Sequence, residues 1–355
     1  METPKTRCWS GGNAFIWGTG ARTAIGLDAA ATAAAVRADI SGITVHHHFL
    51  DKAEEPMHFA SDALLPENLP VPQRLAGMLG PVLDEALGSA PLAGRGLRIS
   101  CWLALPEART GLSLEAASAV GVAVFTERHL PAPRLLPRGH AGGLMALQIA
   151  AEKVANGETD VAIVAGADSY QNPETLMALD REGWLMSGVN RNGFPPGEAA
   201  GACAVGSRAA IEKLGLPVLG RVAAGSTALE PLPIRSTDGV CIGTALTAVL
   251  RDLIAGLRLP QEEITATYCD LNGQRYRNEE LVYALLRTQE AFVDAHDYLC
   301  PADCWGDVGA ASGLLYTALA IAAARRGHAK AARPLLWAGS ESGYRSAVLL
   351  DLAHA

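Results

Sequence analysis

Two stretches of this chain repeat one pattern, and that repeat limits what the chain can fold into. "GGLMALQIAAEKVANGETDVAIVAGADS", residues 142–169, reads as a small-residue start, a helix over 142–155 and an Asn156-Gly157 stop. A buried strand over 160–165 follows, then Gly-Ala-Asp-Ser. "GAASGLLYTALAIAAARRG", residues 309–327, gives a second helix and glycine stop, and "PLLWAGSES", residues 334–342, a second strand and polar end. A glycine just past each helix suits a left-handed C-terminal cap. Each strand is followed, after a connection of different length, by a further apolar strand, "GACAVGS" at 201–207 and "SAVLLDLA" at 346–353. The starts of the two stretches correspond as well. Residues 14–39 read strand, glycine turn and helix, as do residues 219–257, and "ITATYCDLNG" (264–273) reads as a strand ending in a polar turn. Alternation of strand and helix predicts an α/β protein with mainly parallel sheets covered by helices. The repeat predicts two pseudo-symmetric halves, residues 1–210 and 211–355, joined at residues 208–217. The helices starting after His140 and after Asp307 are then equivalent. Their N-termini can share one cleft, which suits an anionic or carbonyl-bearing ligand.

The rest of the chain narrows the function. Its 355 residues are enough for a sizeable core, and 49% of them are hydrophobic against 19% charged. The net charge of −8, with no basic block longer than a pair such as Arg325-Arg326, gives no support to nucleic-acid binding. No membrane span is expected, because the Ala-rich run at 314–324 is too short. The opening "METPKTRCWSGGNAFIWG" lacks the apolar centre of a signal peptide. Seven scattered cysteines fit reduced thiols in the cytoplasm. No cofactor or metal is expected. The Cys300/Cys304 pair has no second ligand pair beside it, and three adjacent histidines on a strand, His46 to His48, cannot all turn to one ion.

Five ordered segments carry a family resemblance. Residues 15–43, 139–169, "RNGFPPGEAAGACAV" (191–205), "EEITATYCDLNG" (262–273) and "CWGDVGAASGLL" (304–315) resemble the β-ketoacyl synthases of the thiolase-like superfamily. The resemblance implies a layered αβαβα fold of two pseudo-symmetric halves. It also implies a twofold dimer, homodimeric or with a related thiolase-like chain, with the strand at 160–165 near the axis. By position, the family's catalytic Cys corresponds to His140 and its two His residues to Asn272 and Asp307. The family's Lys falls near Ala302, and its Gly-rich terminal loop is replaced by "ESGYRS" (341–346). The segment between Cys101 and His140, where the family carries dimer contact and acyl-pocket wall, is short.

Two functional readings follow. Condensation needs a thiolate that holds a thioester and donors for its oxyanion. With His140, Asn272 and Asp307 in those places, the first reading is a non-condensing binding or assembly subunit. The precedent is the chain-length-factor type of partner, with an acyl carrier protein as a further partner. A role beside type VI secretion effectors is a second assembly theme of thiolase-like proteins. The second reading is a divergent acyltransferase or hydrolase acting on acyl-thioesters, with Asp307 orienting His140 as a base. Cys304, at a turn before a helix, is a rescue nucleophile to test, and Cys269 is expected near the same cleft. Glu198 is read as a structural acceptor, "GTGARTAIG" as too incomplete for a phosphate loop. Trp184, Met186 and Phe194 are either core cover or a contact surface.

Overall fold

The computed structural model describes residues 4–233, 239–328 and 332–352. In chain order it runs β1 (Thr6–Ser10), β2 (Phe15–Thr23), α1 (Ala29–Arg37), β3 (Thr44–Leu50), β4 (Pro56–Phe59), α2 (Val71–Leu87), β5 (Ile99–Leu105), α3 (Leu114–Glu127), β6 (Arg134–Pro137), α4 (Gly139–Ala155), β7 (Val161–Ser169), α5 (Pro173–Arg181), β8 (Glu198–Gly206) and α6 (Arg208–Leu214). It continues with β9 (Gly220–Leu229), α7 (Thr244–Ile254), β10 (Ala266–Tyr268), α8 (Arg275–Leu285), β11 (Tyr298–Leu299), α9 (Ala302–Trp305), α10 (Ser312–Arg325), β12 (Pro334–Gly339) and β13 (Tyr344–Asp351). Ala353, the end of the last expected strand, lies outside the described residues.

The strand order repeats. One block reads β2-β8-β7-β5-β6 and the other β9-β13-β12-β10-β11, and corresponding pairs have the same relative direction. Among the described residues, the blocks are joined in one hydrogen-bonded path by two residue pairs, Phe15 with Arg221 and Ile16 with Gly220. β1 pairs with β9, and β3 and β4 form a separate hairpin.

The mainly parallel expectation needs correcting. Within each block the outer two pairings are parallel and the two nearest the junction antiparallel. The connection from β12 to β13 is a four-residue turn, closed by Gly343 N–H donating to the Ser340 carbonyl at 3.0 Å. A turn that short can join only antiparallel neighbours.

Alternation along the strands builds the layers. In β7, Ala162 and Val164 face one core with α4 and α10, whereas Val161, Ile163 and Ala165 face another with α2 and α3. In β12, Leu336 and Ala338 join that same central core, and Leu335 and Trp337 turn to a third core with α7 and α8. Helices therefore cover both outer faces, and α4 and α10 lie between the sheets, which is the αβαβα arrangement. Such strands are apolar on both faces, hence their continuous hydrophobic runs. Gly18 and Gly20, in the stretch that resembled a phosphate loop, lie inside β2, where any Cβ would collide with the α2 carbonyls of Ala86 and Val82. Both expected helix stops are present, with Gly157 and Gly327 each at φ +70°. The helix α6, at the expected junction, packs Ala210, Ile211 and Leu214 into the core of the first block.

The strand at 160–165 is not at an open edge. β7 is buried on both faces between β5 and β8. The free edge of the first block is β6, where Leu135 is 39% exposed.

Candidate functional site

The site lies where the chain leaves the carboxyl ends of parallel strands, the usual place for ligand sites in α/β sheets. From β6 the chain reverses at Gly139, whose φ of +54° a side chain would resist, and enters α4 with His140 in its first turn. Ser340, just past β12, accepts the Ala141 N–H through its hydroxyl at 3.0 Å and donates to the Arg138 carbonyl. Asp307 is fixed through its backbone. Its N–H donates to the Pro195 carbonyl at 2.7 Å, and its carbonyl accepts from Gly197 at 2.8 Å.

His140, Asn272 and Asp307 meet. The His140 Nε2 lies 2.8 and 2.9 Å from the two Asp307 oxygens, and Asn272 Nδ2 donates to Oδ2 at 2.6 Å. The Tyr170 hydroxyl (3.3 Å) and the Gly309 N–H (3.0 Å) donate to Oδ1. All three residues are buried. Burial alone would lower the His140 pKa, but the Asp307 charge and hydrogen bond outweigh it and the opposing Arg277, so the net shift is upward. Burial likewise pushes Asp307 up, yet His140, Arg277 and Asn272 together hold it well below the usual carboxylate range. Both shifts favour the charged forms, an imidazolium facing a carboxylate. A protonated imidazole has no lone pair with which to take a proton or attack a carbonyl.

A second ring of charge supports the first. Arg109, after β5, donates to Asp168 at 2.7 Å and lies 4.1 Å over the Tyr170 ring. Asp168 also accepts the Ala310 N–H at 3.1 Å, tying β7 to the turn that starts α10. Arg277, on α8, pairs with Asp270 at 2.6 Å and Glu341 at 2.8 Å. These residues were missed in the sequence reading. Asp168 carried a signal, a carboxylate near the end of an apolar strand, but Arg109, Tyr170 and Arg277 have no spacing that marks them.

A cleft of about 970 Å³ opens over this network. His140 lines it; Asn272 and Asp307 do not. Its walls mix Arg109, Arg138 and Glu107 with Leu179, Trp184 and Phe194, so the aromatic pair singled out in the sequence is cleft wall. No cysteine lines it. Cys304, the rescue nucleophile, lies in α9 within the central core, and burial pushes its thiol up to about 11. Cys269 packs in the third core, also with its thiol raised by burial. Glu198 is fully buried and structural. It accepts both Arg74 Nε at 2.6 Å and Ser169 Oγ at 2.7 Å, and the Asp62 N–H at 2.8 Å. In the histidine tract, His46 stacks on Phe49 and His48 pairs with Glu67 at 3.1 Å; the His47 side chain lies outside the described residues. One mixed donor set, Glu230, Cys241 and Glu280, brings ligand atoms within 4.8 Å of one another, but Glu280 already pairs with Arg345 at 2.6 Å and Glu230 accepts the Ala245 N–H at 2.7 Å.

Solved structures share this architecture end to end. A chain of a complex between a type II polyketide synthase acyl-carrier protein and its ketosynthase, bound to the hexaketide, aligns with a TM-score of 0.77 at 13% identity, over 96% of this chain and 99% of that one. This is a ketosynthase-type, thiolase-like fold. The ketosynthase from module 6 of the bacillaene synthase of Bacillus subtilis 168 also aligns at 0.77, with 15% identity, over 97% of this chain and 73% of that one. The ishigamide ketosynthase/chain length factor aligns at 0.70, with 20% identity, over 96% and 99%. In sequence, the family described as Beta-ketoacyl synthase, N-terminal domain, matches residues 139–210, from the Gly139 turn through β8 into α6. No curated protein matches the chain. Among the described residues no helix of this ketosynthase-type fold is long and apolar enough to cross a membrane.

Proposed function

We propose that the chain is a non-condensing, ketosynthase-like binding or assembly subunit, built from two copies of one unit at about 1–210 and 211–355. The observation that carries this reading is the closed His140–Asp307 contact at the cleft floor, with Nε2 2.8 Å from the carboxylate. Condensation needs a thiolate to carry the acyl group and free donors to stabilise its oxyanion. Here His140 and the Asn272 amide are turned onto Asp307, and no thiol reaches the cleft. Loss of a single oxyanion donor costs about 2.7–4 kcal/mol of transition-state stabilisation. Loss of donors and nucleophile together leaves binding as the remaining use of the cleft.

The partners we propose are an acyl carrier protein and a second thiolase-like chain, identical or related, in the cytoplasm. The complex with an acyl-carrier protein and the ketosynthase/chain length factor among the similar structures support this choice. The open β6 edge offers a place for the second chain, since an unpaired strand pairs readily with its twofold copy. A secretion-effector adaptor is the competing assembly role, and purification from the native source with its bound proteins separates the two. Recovery of a thiolase-like chain or a carrier protein supports the proposal; recovery of an effector alone overturns the partner choice.

The catalytic test is incubation with acyl- and malonyl-thioesters, read by intact mass and product analysis. We expect no acyl adduct and no condensation product. The acyltransferase or hydrolase reading has two observations on its side, that His140 lines a cleft of substrate size and that Asp307 contacts its ring at 2.8 Å. An adduct or turnover lost in His140→Ala would establish that reading and overturn ours.

A further inference from the structure

Two cysteines stand side by side at the root of the site. β10 and β11 pair in parallel with Tyr268 beside Leu299 at their ends, so the residues that follow are Cys269 and Cys300. The Cys269 N–H donates to the Leu299 carbonyl at 3.0 Å, which fixes the two backbones, and the sulfurs are 3.7 Å apart. Neighbouring strands lie about 4.8 Å apart, inside the roughly 4.4–6.8 Å Cα separation that a disulfide spans. Small side-chain rotations therefore suffice to bring the sulfurs to bonding distance. Cys269 is fully buried and Cys300 half-buried. One thiol that solvent can reach, backed by one that it cannot, is the arrangement of an oxidisable cysteine with its resolving partner.

We propose that Cys269 and Cys300 form a reversible disulfide on exposure to a hydroperoxide. The Cys300 thiolate attacks one peroxide oxygen and the O–O bond breaks. The other oxygen leaves and takes a proton as the alcohol, or as water from hydrogen peroxide. Cys300 is thereby oxidised by two electrons to the sulfenic acid, and the peroxide is reduced. The Cys269 sulfur then attacks the Cys300 sulfur, the S–S bond forms and the S–O bond breaks. The hydroxide that leaves combines with the Cys269 proton as water. Burial holds the Cys269 thiol up and away from solvent, so Cys300 is the thiol that meets the peroxide.

The link would act on the site because of where it sits. Cys269 precedes Asn272 by three residues, and Cys300 leads through α9 into Asp307. A disulfide there ties together the segments that carry Asn272 and Asp307, whose side chains bond each other at 2.6 Å. The competing explanation is that both sulfurs only fill the third core as small apolar groups.

The test treats the reduced whole protein with hydrogen peroxide, unfolds it under an alkylating agent, and maps peptides without reduction. The expected result is a loss of two hydrogens in intact mass, two of the seven thiols protected, and one linked peptide joining Cys269 to Cys300. A dithiol reductant should reverse it. Cys269→Ser should instead leave a sulfenic acid at Cys300 that dimedone traps. Amide exchange at residues 270–274 and 305–309 should slow in the oxidised protein. Seven alkylated thiols after peroxide, or a link involving another cysteine, overturns the proposal, and unchanged exchange in the linked protein overturns the coupling to the site. The wild-type peptide map decides even where the serine variant fails to fold.

Discussion

Replacing Asp307 by asparagine tests the ion pair that carries the functional reading. The substitution keeps the side-chain shape and removes the charge facing His140, which is 5% exposed. Breaking a buried pair from one side costs about 3–5 kcal/mol. Unfolding entropy of about 2.1 cal/mol/K per residue gives roughly 0.75 kcal/mol/K for a chain of this length, so Tm should fall by about 4–7 °C. The loss should depend on pH in a defined direction. The folded pKa of His140 is raised, so its stabilisation is full below the unfolded value of about 6.5 and is lost as pH rises through the folded value. That of Asp307 is depressed, so its stabilisation is full above about 3.9 and is lost as pH falls through the folded value. The gap between wild type and Asp307→Asn should therefore be large near pH 5–6.5 and narrow as the solution becomes alkaline. Differential scanning fluorimetry from pH 5 to 9 measures it, and ¹⁵N chemical shifts of the His140 ring at pH 7 report protonation directly. A gap that stays constant across this range, or a wild-type ring that titrates below the free imidazole, refutes the closed-pair argument.

Glu198→Gln should destabilise the protein by about 3–5 kcal/mol in urea unfolding, because it strands the Arg74 guanidinium in a fully buried site. The joint change Arg74→Met with Glu198→Leu should recover much of that loss; a double variant as unstable as the single one would show that the Ser169 and Asp62 contacts matter more. Gly313→Ala should cost about 1–3 kcal/mol, since its Cβ would lie 2.6–2.9 Å from Leu144 side-chain and backbone atoms where α10 crosses α4, and Leu144→Ala should not rescue it, because the Leu144 backbone nitrogen stays in the way. Leu135→Lys on the β6 edge should shift the protein toward monomer in light scattering while leaving the unfolding free energy of the chain within about 0.5 kcal/mol of wild type; an unchanged oligomer would move the proposed pairing surface elsewhere.

The helices and their stops were legible because glycine marks them physically. Gly157 and Gly327 take the left-handed conformation that ends α4 and α10, and only glycine does so without strain. Strand direction was less legible. Helix-strand alternation points to parallel pairing, yet "GSESGY" between two apolar runs is a hairpin turn, and its antiparallel consequence for β12 and β13 was available in the sequence. At the site, His140, Asn272 and Asp307 could be placed because they stand where the family resemblance puts its Cys and two His residues. The charges that set their protonation could not. Arg277 and Arg109 reach the network from α8 and the loop after β5, and long flexible side chains leave no periodic trace of where they end.

The central core has a consequence for how the chain is made. Leu144, Leu147 and Val154 of α4 pack in one cluster with Leu314, Leu315 and Leu319 of α10 and with Val348 and Leu350 of β13. A ribosome releases the first of these long before the last. Through most of synthesis α4 has no lid, and the inner face of the first block stays wet and adhesive. The vulnerable species is thus the half-made chain, which calls for chaperone shielding until β13 emerges. A fragment ending near residue 219 should carry all of the first block and still precipitate, because half of the core that would keep it soluble is encoded downstream.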